Sequence, residues 1–341
     1  MIRRTVALVL ALLLTVSCTY AEPALTRYTA SFLSLFDTVT TMVGYAESKD
    51  AFSAAAEHFR SALERYHRLY DIYHTYPGMN NLKTVNDSAG VTPVQVDRAI
   101  IDLLLFCRDM YEVSGGAVDV TMGGVLSLWH TARAEGLEDP ASACLPDAAQ
   151  LTEAALHRGF EHVIIDEAAG TVYIDDPLVQ LDVGAVAKGY AVEMICRDMP
   201  AGMLISVGGN VYATGANPDT GHPWGVGIQD PAGSMSEHLH ILDVTHGAVV
   251  TSGVYQRYYV VDGRPYHHLI DPATLMPGAL WQAVTVVCDD SGVADALSTA
   301  LFLLPQENGQ RLLEHFGAEA VWCSHDGTLL FSPGYAPMIR Q

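Results

Sequence analysis

The spacing of apolar residues changes period several times along the chain, and each change marks an element. From Phe32 to Tyr45 apolar and polar residues alternate, which predicts a first strand. From Ala51 to Tyr73 the spacing becomes helical, with Phe52, Ala55, Phe59, Leu63, Tyr66 and Tyr70 on one side. A stripe of this kind packs into a core. Tyr76-Pro77-Gly78 ends that helix, and a second is predicted over Val94 to Val113, where Ser114-Gly115-Gly116 supplies a left-handed cap.

Beyond it, Arg133 to Gln150 reads as a surface excursion and Thr152 to His157 as a short helix. Val163 to Asp166 and Thr171 to Ile174 bracket a turn and predict a hairpin. Leu181-Asp182 closes a further strand, and Met203 to Thr214 folds back at Gly208-Gly209-Asn210. Strands follow at Trp224 to Ile228, Ile241 to Val244, Ala248 to Val250, Tyr255 to Val261 and Ala283 to Cys288. Helices over Val293 to Leu304 and Gln306 to Phe316, then strands at Ala320 to Cys323 and Thr328 to Phe331, complete the chain. Short turns between strands point to an α+β protein, with helices packed on mixed, mainly antiparallel sheets.

The N-terminal stretch follows a different logic. Met1 to Arg4 is basic, Val6 to Val16 is apolar, and Ser17-Cys18 follows at once. This predicts a signal peptide over residues 1–17, too short for a comfortable membrane span of ~20 apolar residues. Ser17-Cys18 resembles a bacterial lipobox, so Cys18 is the expected lipidation site, followed by a tether over 18–30 and a folded domain over 31–341 of one or two subdomains. Thr15 stands where a lipobox usually has leucine, and plain secretion is the competing reading. Either way the folded part lies outside the cytoplasm. The lipoprotein reading places it in the periplasm, anchored to the inner membrane.

Composition narrows the function. With 50% hydrophobic and 17% charged residues among 341, the chain is an ordinary globular one. A net charge of -21 argues against nucleic-acid binding through bulk electrostatics, while leaving room for a local phosphate pocket. Apart from Cys18, the cysteines are Cys107, Cys144, Cys196, Cys288 and Cys323, with no CxxC spacing. Four of them sit in apolar runs, so neither a disulfide framework nor a cysteine metal site is expected. A thiol-based redox lipoprotein is correspondingly disfavoured.

Candidate chemistry gathers late in the chain. Thr251 to Pro272 brings His267, His268, Arg257 and Asp271 close together, and a histidine beside a carboxylate suits proton transfer, though such histidines also cap turns. Asp295 and Thr299, at i and i+4, present a carboxylate and a hydroxyl to one point, as Mg²⁺ prefers. A helix-start carboxylate with a back-bonded threonine explains the same spacing. In Asp182 to Glu193 a glycine turn runs into a helix whose free N–H groups and Lys188 suit an anion. The P-loop pattern is absent, and a plain helix start with a solvated lysine fits as well. Asp119, in a glycine-rich setting, is either a site residue or part of an ordinary turn.

Taken together, LDVGAVAKGYAVE, SVGGNVYATG, PWGVGIQDP, VVTSGVYQRYYVVDGRPYHHLIDP and VADALSTALF resemble, in order, the motifs of the ApbE family of flavin transferases. The likeness runs from about Phe36 to Phe331, and with the leader it resembles a bacterial lipoprotein form of spirochaetal, treponemal type. It implies a T-fold-related α+β fold with the active site in a cleft. It also implies transfer of FMN from FAD to a Thr or Ser hydroxyl of an exported partner flavoprotein, such as a redox-pump subunit, with release of AMP. Water in place of that hydroxyl gives FAD hydrolysis to FMN and AMP.

By the same resemblance, Mg²⁺ is held by the Ala185 carbonyl, Asp295 and Thr299. FAD lies against Phe36, Tyr76, Asn80, Ala117, Val118, Asp119, Asp182, Lys188 and the backbone at Ile270, and His268 is the catalytic base. His267 and Arg257 become supporting positions. The chain departs from the family pattern at Val254, where a polar residue is common, at Leu275, where glycine is common, and at Asn80, where serine is usual. The reading from another class is a lipoprotein that binds FAD for storage or delivery without turnover. Such a binder needs neither the metal pair nor His268.

Overall fold

Two alternating runs pair with each other at the start of the fold. In the computed structural model, which describes residues 25–341 apart from Met235, Ser236 and Gln256, β1 (Thr26–Leu35) and β2 (Thr38–Ala46) form an antiparallel hairpin. The expected single strand is therefore two. The reversal occupies only Phe36 and Asp37, both left-handed at φ 50° and 52°, so the period of two runs through the turn without a glycine or proline to mark it. β1 also takes up residues 26–30 of the expected tether. The signal peptide and Cys18 lie outside the described residues.

The order continues with α1 (Lys49–Tyr70), α2 (Leu82–Asp87), β3 (Val94–Gln95), α3 (Arg98–Val113), α4 (Gly123–Glu138), α5 (Ala148–Ala154), β4 (Val163–Asp166) and β5 (Thr171–Ile174). Next come α6 (Ala187–Cys196), β6 (Met203–Val207), β7 (Asn210–Ala213), β8 (Trp224–Gln229), β9 (His238–Val244) and β10 (Gly247–Gly253). The chain ends with β11 (Tyr258–Val261), β12 (Arg264–His267), β13 (Ala283–Cys288), α7 (Ser291–Leu303), α8 (Gln306–Phe316), β14 (Glu319–Cys323) and β15 (Leu329–Phe331). The predicted α+β class holds. Among the described residues every named strand pair is antiparallel, and the parallel contact is the isolated bridge Met122–Gln180.

Eight strands form the main sheet in the order β1-β2-β6-β7-β10-β13-β14-β15. All six residues of β13 are buried, because both faces of this inner strand are covered. One face carries α1, α6 and α7, with Phe59, Leu63, Val192, Leu297 and Phe302 in its core. On the other, the β8–β9 ribbon lays Trp224, Val226 and Leu242 against Val249, Val287 and Val321. A separate cluster joins α4 to the β11–β12 ribbon through Trp129, Tyr259 and Ile270.

Three expectations need correcting. The helix predicted from Val94 starts at Arg98 because Asp97 caps it, its side chain accepting the Ala99 N–H at 2.9 Å, while Val94 and Gln95 pair with β5. Residues 133–150 are not all excursion: α4 runs to Glu138, and α5 starts at Ala148 behind an Asp147 cap. Leu181 and Asp182 do not end a strand. Instead Asn86 clasps Leu181 through both backbone groups, at 2.8 and 3.0 Å, and the Asp182 N–H donates to Val120 O at 2.7 Å. A side-chain amide imitates a strand neighbour here, and apolar periodicity does not reveal it.

Candidate active site

The glycine turn ahead of α6 and the DALST helix α7 meet at Gly189 and Asp295. Asp295 is 4% exposed, and its Oδ2 accepts the Gly189 N–H at 2.8 Å with Lys188 Nζ at 3.5 Å. Glycine is required at 189: a Cβ there would lie 2.2 Å from Ser291 O. Four residues further along α6, buried Glu193 accepts the Ser291 N–H at 3.0 Å and so satisfies the first turn of α7. Two points of contact thus fix the rotation of α7, and with it the direction of Asp295.

Because the Gly189 N–H is turned to Asp295, Ala185 O loses the donor that a helical continuation would supply. No hydrogen bond to that carbonyl forms among the described residues. Ala185, Asp295 and Thr299 line one cavity, and together they offer a carbonyl, one carboxylate and a hydroxyl. No cage of three or more acidic, histidine or cysteine side chains occurs among the described residues. A sparse all-oxygen set fits Mg²⁺, which keeps several waters and completes its shell with substrate phosphates. The set fits that ion better than a softer one.

The cavity has a volume of about 730 Å³. Phe36, Ala117, Val118, Asp119, Asp182, Lys188, His268 and Ile270 also line it, so eleven of the thirteen anticipated metal, flavin and proton-transfer residues share one space. Tyr76 and Asn80 do not line it. The Tyr76 hydroxyl donates to Asp71 at 2.7 Å and so props a wall residue, while exposed Asn80 donates to Gln95 O at 2.8 Å. Asn81, not Asn80, is the buried member of that pair; it caps α2 and donates to Arg68 O and His74 O.

Burial raises the carboxyl pKa of Asp182, opposed by the Gly184 N–H at 2.9 Å, and raises that of Asp119, opposed by two bonds from Thr121. At half-buried His268, desolvation in the cavity wall pushes the imidazole down to about 3, assisted by the guanidiniums of Arg257 and Arg133. Its Nδ1 lies 3.3 Å from Arg257 O. A carbonyl only accepts, so Nδ1 carries the proton and Nε2 keeps its lone pair. His267 plays a structural part: Nε2 donates to Gly278 O at 2.9 Å and the ring stands edge-on to Phe302.

Of the three departures in sequence, Asn80 stands outside the cavity, and Val254 and Leu275 resolve differently. Val254 packs on the main core and does not line the cavity. Leu275 adopts the left-handed conformation itself, at φ 60°, so the turn keeps its form without glycine. Strain there, on the order of 1–2 kcal/mol, is offset by the Trp129 Nε1–H bond to Leu275 O at 2.9 Å and by packing against the α4 cluster.

Asp71, His130 and Arg133, which belong to none of the sequence motifs, also line the cavity. The signal was present: Leu126, Trp129, His130, Arg133 and Leu137 recur at helical spacing on α4, and all face the cavity.

The sequence profile of the ApbE family matches residues 36–322. This chain belongs to the ApbE family. It is 33% identical over 277 residues to the FAD:protein FMN transferase of Treponema pallidum, covering 76% of this chain and 75% of that one. A Klebsiella pneumoniae protein of the same name is 31% identical over 231 residues, 66% of this chain and 68% of its own. Among solved structures, the ApbE protein of Thermotoga maritima superposes with a TM-score of 0.81 at 27% identity, covering 93% of this chain and all of that one. The Pseudomonas stutzeri flavinyl transferase ApbE shares the fold, with a TM-score of 0.74 at 24% identity over 92% and 96% of the two chains. This ApbE cavity thus lies between α4, the β11–β12 ribbon and the α6–α7 pair.

Proposed function

We propose that this chain is an FAD:protein FMN transferase that moves FMN from FAD to a Thr or Ser hydroxyl of an exported flavoprotein and releases AMP. The observation that carries the reading is the shared cavity. A three-oxygen set of Ala185, Asp295 and Thr299, the Lys188 ammonium and the lone pair of His268 Nε2 all open into one space. When bound, Mg²⁺ would supply charge neutralisation and Lewis acidity at the FAD phosphates.

The remaining chemistry belongs to the chain. Lys188, at the start of α6, adds positive charge where phosphate oxygens would gather. His268 Nε2 takes the acceptor hydroxyl's proton as the oxygen bonds to the FMN phosphorus. The bond from that phosphorus to the bridging pyrophosphate oxygen breaks, and AMP leaves with this oxygen. Asp119 and Asp182 shape the flavin side, and Phe36 offers it an aromatic face. Water reaching the same position would give FMN and AMP instead.

Purified protein with FAD and Mg²⁺, assayed for AMP with and without acceptor, tests the proposal. Mass spectrometry of co-expressed exported proteins for an added FMN identifies the acceptor. AMP release that survives both Asp295→Ala and His268→Ala would count against the mechanism, and tight FAD binding without AMP release would favour storage or delivery. The sequence before Leu25 supports a periplasmic, lipid-anchored location at the inner membrane. Lipid labelling that persists in Cys18→Ala would remove the anchor from this picture.

A further inference from the structure

Arg133 and Arg257 line the cavity, and neither makes an ion pair or side-chain hydrogen bond among the described residues. Many surface arginines are paired, Arg60, Arg65 and Arg98 among them. Arg27, Arg108 and Arg264 are also unpaired among the described residues, but they do not line this cavity. Carboxylates do line the same cavity: Asp119 is bonded by Thr121, Asp182 by Gly184, Asp295 by Gly189 and Lys188, and Asp71 by Tyr76, while Asp37 is exposed. None of them forms an ion pair with Arg133 or Arg257 among the described residues. The cavity therefore has two poles, one of oxygens on α6 and α7 and one of guanidiniums on α4 and the segment before β11.

Half-buried Arg133 and exposed Arg257 face the same cavity, and their like charges repel until an anion joins them. Burial and the neighbouring Arg257 charge together lower the pKa of Arg133. The planar guanidinium fork matches phosphate oxygens in two-point geometry. We propose that Arg133 and Arg257 form an oxyanion subsite for a phosphate ester, separate from the Asp295–Thr299 pole. The unpaired arginines call for an anion, and the proposed transfer from FAD makes that anion a phosphate ester.

The position of the subsite gives it a second consequence. His268 hangs from the Arg257 carbonyl by its backbone N–H at 3.1 Å and its Nδ1 at 3.3 Å, so base and subsite share one residue. Besides burial, the groups that oppose protonation of this ring are the Arg257 and Arg133 guanidiniums and the neighbouring His267 imidazole. Unoccupied, the arginines oppose protonation of His268. A phosphate between them cancels part of that field and strengthens the base when substrate is present.

Binding to the full chain in EDTA separates the two poles, since no divalent cation is then available. Inorganic phosphate, AMP and FAD are titrated in turn by calorimetry, while the His268 imidazole is followed by NMR. The expected result is phosphate binding that shifts the His268 resonance and weakens about tenfold or more in Arg133→Gln and in Arg257→Gln, with Lys→Gln at 188 affecting it less. Arg257→Lys, which keeps the charge but loses the fork, should recover part of the affinity. If FAD alone is weakened, the oxyanion belongs to the bound dinucleotide; if phosphate and AMP are weakened too, the subsite also takes the leaving monoester.

Affinities for all three probes that are unchanged in both arginine variants overturn the subsite, as does a His268 resonance indifferent to phosphate. Thermal unfolding of each variant guards against misfolding as the cause of lost binding. Arginine-dependent phosphate binding in a protein that never releases AMP would keep the subsite and reject the transferase. AMP release with arginine-independent binding would do the reverse.

Discussion

The Gly189 amide donates to Asp295 Oδ2 at 2.8 Å, and a Cβ on Gly189 would stand 2.5 Å from Asp295 Cβ. The direction of the carboxylate proposed to hold Mg²⁺ and the packing of the two helices are therefore set by one contact. Gly189→Ala must separate α6 from α7, at an overpacking cost of about 1–3 kcal/mol. The expected outcome is a lower denaturation midpoint together with a loss of AMP release larger than the loss of folded protein. Wild-type values for both would show that the helices accommodate the methyl group.

Glu193 allows the helix start to be tested apart from the site. Glu193→Ala leaves the buried Ser291 N–H unpaired, a cost of about 1–3 kcal/mol, while Glu193→Gln keeps an acceptor and loses mainly the charge at the α7 N-terminus, about 0.5–1 kcal/mol. Urea unfolding should rank the variants wild type, Gln, Ala. Equal stability of all three would mean that the bond contributes nothing.

If the oxygen pole holds Mg²⁺ as proposed, activity depends on the metal. Chelation should abolish AMP release and Mg²⁺ should restore it. Thr299→Ala should raise the Mg²⁺ concentration for half-maximal rate, and Asp295→Asn should raise it further, because a carboxylate binds the cation more strongly than a hydroxyl. A rate in EDTA equal to that in Mg²⁺ contradicts the assignment.

The depressed pKa of His268 has a defined sign. The unfolded chain takes a proton at this position below about pH 6.5, whereas the folded ring stays neutral down to about 3. This component of stability is present above the unfolded pKa and is lost as pH falls through that window. His268→Gln should therefore lose less stability than wild type between about pH 7 and pH 5, read as the shift in urea midpoint. The neutral ring also predicts no acid limb from His268 in that range for the free enzyme.

At the β1–β2 reversal, exposed Asp37 occupies a left-handed position that glycine fills without strain. Asp37→Gly should stabilise the fold by about 0.5–1 kcal/mol, seen as a rise in denaturation midpoint. A fall would mean that the Asp37 side chain makes a compensating contribution.

Much of the fold was legible because its elements carry their period locally. α1 shows its aromatic stripe, β4 and β5 bracket a glycine turn, and α7 and α8 appear within two residues of their observed bounds. The reversal at Phe36-Asp37 was hidden because two residues with side chains stand where a turn of this kind favours Asn-Gly. The clasp of Leu181 by Asn86 was hidden because its partners are 95 residues apart and it joins a polar side chain to backbone groups, which apolar spacing does not record.

The same division runs through the site. Sequence by itself determined which residue types are available: a carboxylate and hydroxyl four apart on α7, a lysine after a glycine turn, and a histidine before Asp271. Chemical identity and helical spacing are local properties, so the chain states them directly. Only tertiary structure decided that Tyr76 and Asn80 stand outside the cavity, that Ala185 O is freed when Gly189 turns to Asp295, and that Arg133 and Arg257 share a space without an ion-pair partner. Those facts depend on hydrogen bonds and packing between segments distant in sequence. Long-range contacts of that kind leave no periodic trace in a single chain.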